Sequence, residues 1–231
     1  MPKRRKKPTE LQSRGWQGRL VYAIGMFLSR LLIRLKYLGQ ENLPKEGAYI
    51  IAANHQTMFD GLWIMGGIPQ EQLPRFSCIA GSDLEQHYGL TGRIMFRVGK
   101  AIPIDREGNP MRGLVLSKQQ LEKGAVIMIH PEGTRTYDGR LGQMKNGVAY
   151  LARKTGVPIV PTYIDGGYEI FSRYMSVPRP IDWKRFRRKK MTIEFGEPFY
   201  PENYKNNAQI MDVLTIYLKE KEREALAKRD A

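Results

Sequence analysis

The stretch NHQTMFD, residues 54–60, places His55 five positions before Asp60, directly after the apolar run AYIIAA. An imidazole works as a general base near neutral pH when a carboxylate fixes its tautomer and stabilises the imidazolium that forms. That chemistry is open to this pair if the chain turns from strand into helix between them. The same spacing also serves ordinary turn chemistry, with Asp60 as a helix N-cap and His55 as a loop residue. The pair alone does not decide between the two. Two further segments offer groups for an anionic ligand. GKAIPIDR (99–106) has Lys100 and Arg106 near the ends of a short apolar run, and HPEGTR (130–135) supplies Glu132, Gly133 and Arg135. Arginine binds phosphate through two parallel hydrogen bonds, and glycine lets the backbone approach a ligand closely. A surface salt bridge for Arg106 and a plain turn for PEGT are the competing roles.

Other chemistries lack their residues. There is no Gly-x-Ser-x-Gly elbow, and the single cysteine, Cys78, lies in the apolar run RFSCIA, which reads as a buried strand. A covalent acyl-enzyme is therefore not expected. No His/Cys/Asp cluster has metal-ligand spacing and no glycine-rich loop has phosphate-cradling form, so no metal is expected. A base without a protein nucleophile suits a substrate that brings its own hydroxyl, deprotonated as it attacks a reactive carbonyl.

These groups need a scaffold. Strand-like runs occur at 48–53, 76–80, 100–104, 125–129, 158–164 and 191–196, with helical segments between at 60–67, 84–97, 111–123 and 142–155. Alternation of this kind predicts an α/β fold with a mixed, largely parallel sheet flanked by helices. AVIMI and IVPTYI are apolar without alternation, as strands covered on both faces are. A last helix, 206–226, starts apolar and ends in a charged, solvated tail. In open α/β sheets ligands bind beyond the carboxyl ends of the strands, where NHQTMFD follows the first run, DREGNP (105–110) the third and HPEGTR the fourth. The expected organisation is a basic tail (1–14), an interfacial membrane-associating helix (15–38), a catalytic α/β domain (39–205) and a C-terminal helix (206–231).

The chain carries 38 Lys and Arg against 23 Asp and Glu, a net +15 over 231 residues. That excess calls for an anionic partner, such as nucleic acid, an acidic membrane, acidic protein or a phosphorylated substrate. Much of it is clustered, in KRRKK (3–7) and KRFRRKK (184–190). The most apolar early stretch, LVYAIGMFLSRLLI (20–33), is too short and too interrupted to cross a bilayer, and its apolar residues run almost all round a helix. Trp16 and the flanking arginines favour a helix dipped into one leaflet, and packing on the domain core is the alternative.

Taken in order, NHQTMFD, GKAIPIDR, HPEGTRTYDGRLGQMKNG and VPIVPTYI resemble the four motif blocks of the glycerolipid acyltransferases, closest to the bacterial lysophosphatidic acid acyltransferases. The resemblance spans residues 48–164. It implies the fold of that family and acyl transfer from a thioester, on acyl carrier protein or coenzyme A, to the free hydroxyl of a lysophospholipid, with no other cofactor. It casts His55 as base and Asp60 as its orienter. Arg106, Glu132, Gly133 and Arg135 match positions held to bind the acceptor phosphate, with Lys100 and Lys145 as weaker additions. His130 and Met144 depart from the family pattern, each standing where phenylalanine is common. The charge then finds its partners in an anionic membrane surface, a phosphate-bearing lipid and an acidic acyl carrier rather than nucleic acid. A peripheral or monotopic place on the cytoplasmic face of the cell membrane is expected. Another acceptor, such as glycerol-3-phosphate or a lyso-ornithine lipid, and a non-catalytic membrane-binding protein are the remaining alternatives.

Overall fold

The computed structural model describes residues 15–105 and 108–230; the basic tail and Arg106 lie outside them. The elements in chain order are α1 (Gly15–Leu32), β1 (Arg34–Leu38), β2 (Tyr49–Ala53), α2 (Asp60–Met65), β3 (Phe76–Gly81), α3 (Leu84–Gly99), β4 (Ile102–Ile104), α4 (Met111–Leu121) and β5 (Val126–Ile129). They continue with α5 (Gly147–Thr155), β6 (Ile159–Asp165), α6 (Gly167–Phe171), β7 (Ile181–Asp182), β8 (Arg187–Arg188), β9 (Lys190–Phe195) and α7 (Asn207–Asp230). Seven strands form one sheet in the order β1-β9-β6-β2-β5-β3-β4, parallel throughout except where β9 runs against β6.

The central strands explain their own burial. Tyr49, Ile51, Val126, Met128 and Val160 face one core cluster. Ile50, Ala52, Ile127, Ile129 and Ile159 face the other. Helices cover both faces: α1, α2 and α6 contribute to the first core, and α4, α5 and α7 to the second. Continuous apolar runs are what two buried faces demand.

Helix α1 stops at Leu32, and the rest of the expected 15–38 helix is an edge strand instead. RLKYL alternates, with Leu35 and Tyr37 half-buried and Arg34, Lys36 and Leu38 exposed, and it pairs in parallel with β9. A period of two cannot stay on one helix face. Two sides of α1 are apolar for different reasons. Met26 and Ser29 are buried, and Ser29 Oγ accepts a hydrogen bond from Trp63 Nε1 of α2 at 3.0 Å. Trp16, Leu20, Ile24, Phe27 and Leu31 are exposed, and at 100° per residue they fall within an arc of about 80°. Among the described residues no helix is long and apolar enough to cross a membrane.

The C-terminal helix also differs from expectation. Its last turns are not simply solvated: Ala225 is buried, and Arg229 bridges Asp165 at 2.6 Å and Glu169 at 2.5 Å.

Candidate active site

Strands β2 and β5 are parallel neighbours with Ala52 opposite Ile129, so the loops leaving their carboxyl ends emerge side by side. One carries His55, the other HPEGTR. Three hydrogen bonds stitch them together. The His55 backbone N–H donates to Glu132 Oε1 at 2.7 Å, Thr136 N–H donates to the His55 carbonyl at 2.8 Å, and His130 Nδ1 lies 2.9 Å from the Ala53 carbonyl. Asn54 anchors the other flank, exchanging hydrogen bonds with the backbone of Ile164 on β6 at 3.0 and 2.7 Å. His55 is thus held from both sides before its ring makes any contact.

The ring itself meets Asp60, with Nδ1 2.9 Å from Oδ2. Asp60 does not cap α2; its carboxylate reaches back to the residues before it. It accepts from Gln56 N–H at 2.8 Å, from Thr57 N–H at 3.0 Å and from Thr57 Oγ at 2.8 Å. Complete burial pushes its pKa up, and the Thr57 and Gln56 donors pull it part of the way back. All four partners offer hydrogens, which is the environment of an ionised carboxylate rather than a carboxylic acid seeking an acceptor. The ionised Asp60 then accepts a hydrogen bond from Nδ1–H of His55, leaving Nε2 as the basic nitrogen of the neutral ring. His55 is largely buried, its side chain 18% exposed, and lines a cavity of about 580 Å³.

His130 stacks on His55 with ring centroids 3.8 Å apart and planes 3° from parallel. It does the packing work expected of the phenylalanine it replaces, and more. Its Nδ1–H is spent on Ala53, and burial with the nearby His55 pushes its pKa down to about 3, so it remains neutral. His55, Asp60 and His130 each bring a ligand-type atom within 4.8 Å of the others. Two imidazoles stacked in parallel planes cannot both aim in-plane lone pairs at one ion, so this trio suits proton chemistry better than a metal.

The other expected residues separate. Arg135 and Lys145 line the cavity, and Gly133 lines it with φ +70°. A Cβ on Gly133 would sit 2.9 Å from the movable end of Lys145, so it is the left-handed backbone that calls for glycine there. Glu132 is not presented to a ligand. It is buried, its Oε1 taken by His55 N–H and its Oε2 by Gly142 N–H at 2.7 Å, and burial raises its pKa to about 7. It braces the site. Lys100 is elsewhere: its ammonium donates to the Pro74 carbonyl, just before the amino end of β3, while the site lies at the carboxyl ends. A lysine preceding a parallel strand cannot reach a site beyond that strand's far end. Cys78, on β3 as expected, is half-buried, packing against the first core cluster and also lining the cavity.

One cation went unread in the sequence. Arg173, after α6, lines the cavity beside Arg135, donates to the Arg135 carbonyl at 3.1 Å and stacks 3.8 Å over the Tyr137 ring. It lies in FSRYM, outside any block, and no local pattern marks it. The rest of the cavity is mainly apolar, closed by Leu62 of α2, Leu84 of α3, Leu114 of α4 and, from α1, Val21 and Gly25. A polar mouth with a basic imidazole and cations, opening onto an apolar interior, fits an amphiphilic ligand.

Known proteins share this chain's features. It is 27% identical over 187 residues to a probable 1-acyl-sn-glycerol-3-phosphate acyltransferase of Mycoplasma pneumoniae, covering 78% of this chain and 67% of that one. It is 26% identical over 171 residues to a 1-acyl-sn-glycerol-3-phosphate acyltransferase of Bacillus subtilis, covering 74% and 76%. The fold matches the crystal structure of the 1-acyl-sn-glycerophosphate acyltransferase of Thermotoga maritima with a TM-score of 0.73 at 23% identity, over 91% of this chain and 80% of that one. Residues 34–165, which hold β1 to β6 and the whole His55–Asp60 and HPEGTR constellation, match the family model described as Acyltransferase, and the chain belongs to that family.

Proposed function

We propose that this protein transfers a fatty acyl group from a thioester, on acyl carrier protein or coenzyme A, to the free hydroxyl of lysophosphatidic acid, giving phosphatidic acid. The observation that carries this reading is the Asp60-oriented His55 at the junction of an apolar cavity with Arg135, Lys145 and Arg173. The acceptor's phosphate sits among the cations and its hydroxyl points to His55 Nε2. As that nitrogen takes the proton, the oxygen attacks the thioester carbonyl. Collapse of the tetrahedral intermediate expels the thiolate, which recovers the proton from the His55 imidazolium. The Asp60 carboxylate holds the ring and stabilises its transient charge. No acyl-enzyme is needed because the thioester is already reactive.

The acceptor and donor partition into or approach a membrane. The exposed stripe of α1 and the net charge of +15 support a peripheral or monotopic seat on an anionic bilayer. Replacing His55 by Ala or Asp60 by Asn is expected to lower kcat by at least about a hundredfold, the usual worth of a positioned general base, with folding retained. The assay is acyl transfer to lysophosphatidic acid. Parental rates in folded variants would sink the base assignment. Mass spectrometry of products from mixed lysolipids and both donor types identifies the acceptor; a different lysophospholipid product would keep the chemistry and change the substrate.

A further inference from the structure

Between α6 and β9 the chain makes a small antiparallel hairpin, with Ile181 opposite Arg188 and Asp182 opposite Arg187. It lies outside the seven-stranded sheet and contributes nothing to either core. Its tip, WKRF, is unusual for a solvated turn. Trp183 is 71% and Phe186 86% exposed, and Phe186 holds a left-handed φ of +45°, where glycine or asparagine is the ordinary choice. Exposed rings on a strained tip fill no core of their own. The cations are as unusual. Residues 179–190 hold seven Lys and Arg against Asp182 alone, a net +6. That one carboxylate pairs with Arg187 only at 3.9 Å.

The hairpin is also tied to α1. Arg188 donates to the carbonyls of Arg30 and Leu31, both at 3.0 Å, at the end of the helix whose Trp16, Phe27 and Leu31 are exposed. Beside Trp183, Arg179, Ile181 and Lys189 line a shallow groove.

We infer that the β7–β8 hairpin is a second membrane-interface anchor, in which Trp183 and Phe186 enter the headgroup boundary of an anionic bilayer and Lys184, Arg185 and Arg187 engage lipid phosphates. An indole and a phenyl group at the level of polar headgroups satisfy both an apolar body and a wet edge. Lys and Arg near an anionic surface add electrostatic attraction within a Debye length. An acidic protein carrier would answer the cations but gives no use for two protruding rings, and a bilayer answers both. Together with α1 the hairpin would define two points of contact, fixing the tilt of the domain on the surface. The inference rests on the reading that the acceptor is a membrane lipid.

The test uses the full chain sedimented with vesicles of phosphatidylcholine, with and without phosphatidylglycerol, in the absence of substrates. The variants are W183A/F186A and K184E/R185E, with melting temperature as the folding control. Each is expected to lower partitioning onto the anionic vesicles about tenfold or more, with the melting temperature unchanged. Both should slow turnover of vesicle-embedded acceptor while leaving turnover of a short-chain soluble acceptor unchanged. Parent-like partitioning of the folded variants overturns the proposal, as does a parent protein that ignores anionic vesicles. A raised KM for acyl carrier protein with parent-like partitioning also overturns it and assigns the hairpin to the carrier. Vesicle binding by a parent that forms no acylated product would instead count against the acyl-transfer reading and leave the anchor standing.

Discussion

Arg173 and Glu132 show how far a side chain's role depends on what surrounds it. Arg173 stands over Tyr137 and against the Arg135 carbonyl, which together hold its guanidinium at the cavity. Arg173→Ala is expected to raise KM for the phosphate-bearing acceptor about tenfold or more, the worth of a charge-assisted hydrogen bond, with kcat changed far less. Arg173→Lys should recover part of the loss; steady-state kinetics with varied acceptor decides it, and an unchanged KM would remove Arg173 from the acceptor site. Glu132 makes a different prediction. Burial raises its pKa from an ordinary 4.5 to about 7, so the native state keeps a proton that the unfolded chain releases. Its contribution to stability is fully present below about pH 4.5 and is lost as pH rises through about 7. Glu132→Gln cannot titrate and should flatten that decline in melting temperature, even if a lost acceptor for Gly142 or His55 N–H lowers stability at every pH. An identical slope in parent and variant would show that Glu132 does not titrate in this window.

At the level of elements, a polar contact set inside an apolar seam helps to fasten α1 to α2. Ser29 Oγ accepts from Trp63 Nε1 and donates to the Gly25 carbonyl at 2.7 Å, all within buried surface. Ser29→Ala leaves the indole N–H without its partner and should cost about 1–3 kcal/mol, the penalty of a buried unsatisfied donor. Chemical denaturation measures it, and a loss below about 0.5 kcal/mol would mean that water or a shift of α1 re-satisfies the indole. The same region shows why element boundaries were only partly legible. The strands buried on both faces announced themselves through nearly unbroken apolar runs, because each successive side chain meets one core or the other. RLKYL did not, since five residues of alternation beside a long apolar helix read as its continuation until β9 arrives from about 150 residues further on to pair with it. α7 was legible in its first turns through Ile210, Val213, Leu214 and Tyr217, whereas the partners of Arg229 come from β6 and α6 and leave no trace in α7's own sequence.

For the whole molecule, a net charge of +15 and an apolar stripe on α1 act together on a surface of opposite sign. Turnover on anionic vesicles is therefore expected to fall severalfold as ionic strength rises from about 0.05 to about 0.5 M, as the Debye length shrinks, while turnover of a short-chain soluble acceptor changes less. Equal salt sensitivity on both would place the effect in the active site rather than at the membrane. The amino-acid sequence by itself determined the fold class, through periodicity, and picked out His55, Asp60 and the HPEGTR loop through four ordered blocks that resemble the acyltransferases, since each segment alone also fits ordinary turn chemistry. Tertiary structure alone decided which side chains share the cavity. Arg173 joins it from a segment with no motif, Glu132 turns inward to hold two loops, and Lys100 is carried to the other end of the sheet. Convergence of this kind depends on strand order and register, which bring Ala52 beside Ile129 and Thr162 beside Phe195, and a linear pattern does not encode which strands become neighbours.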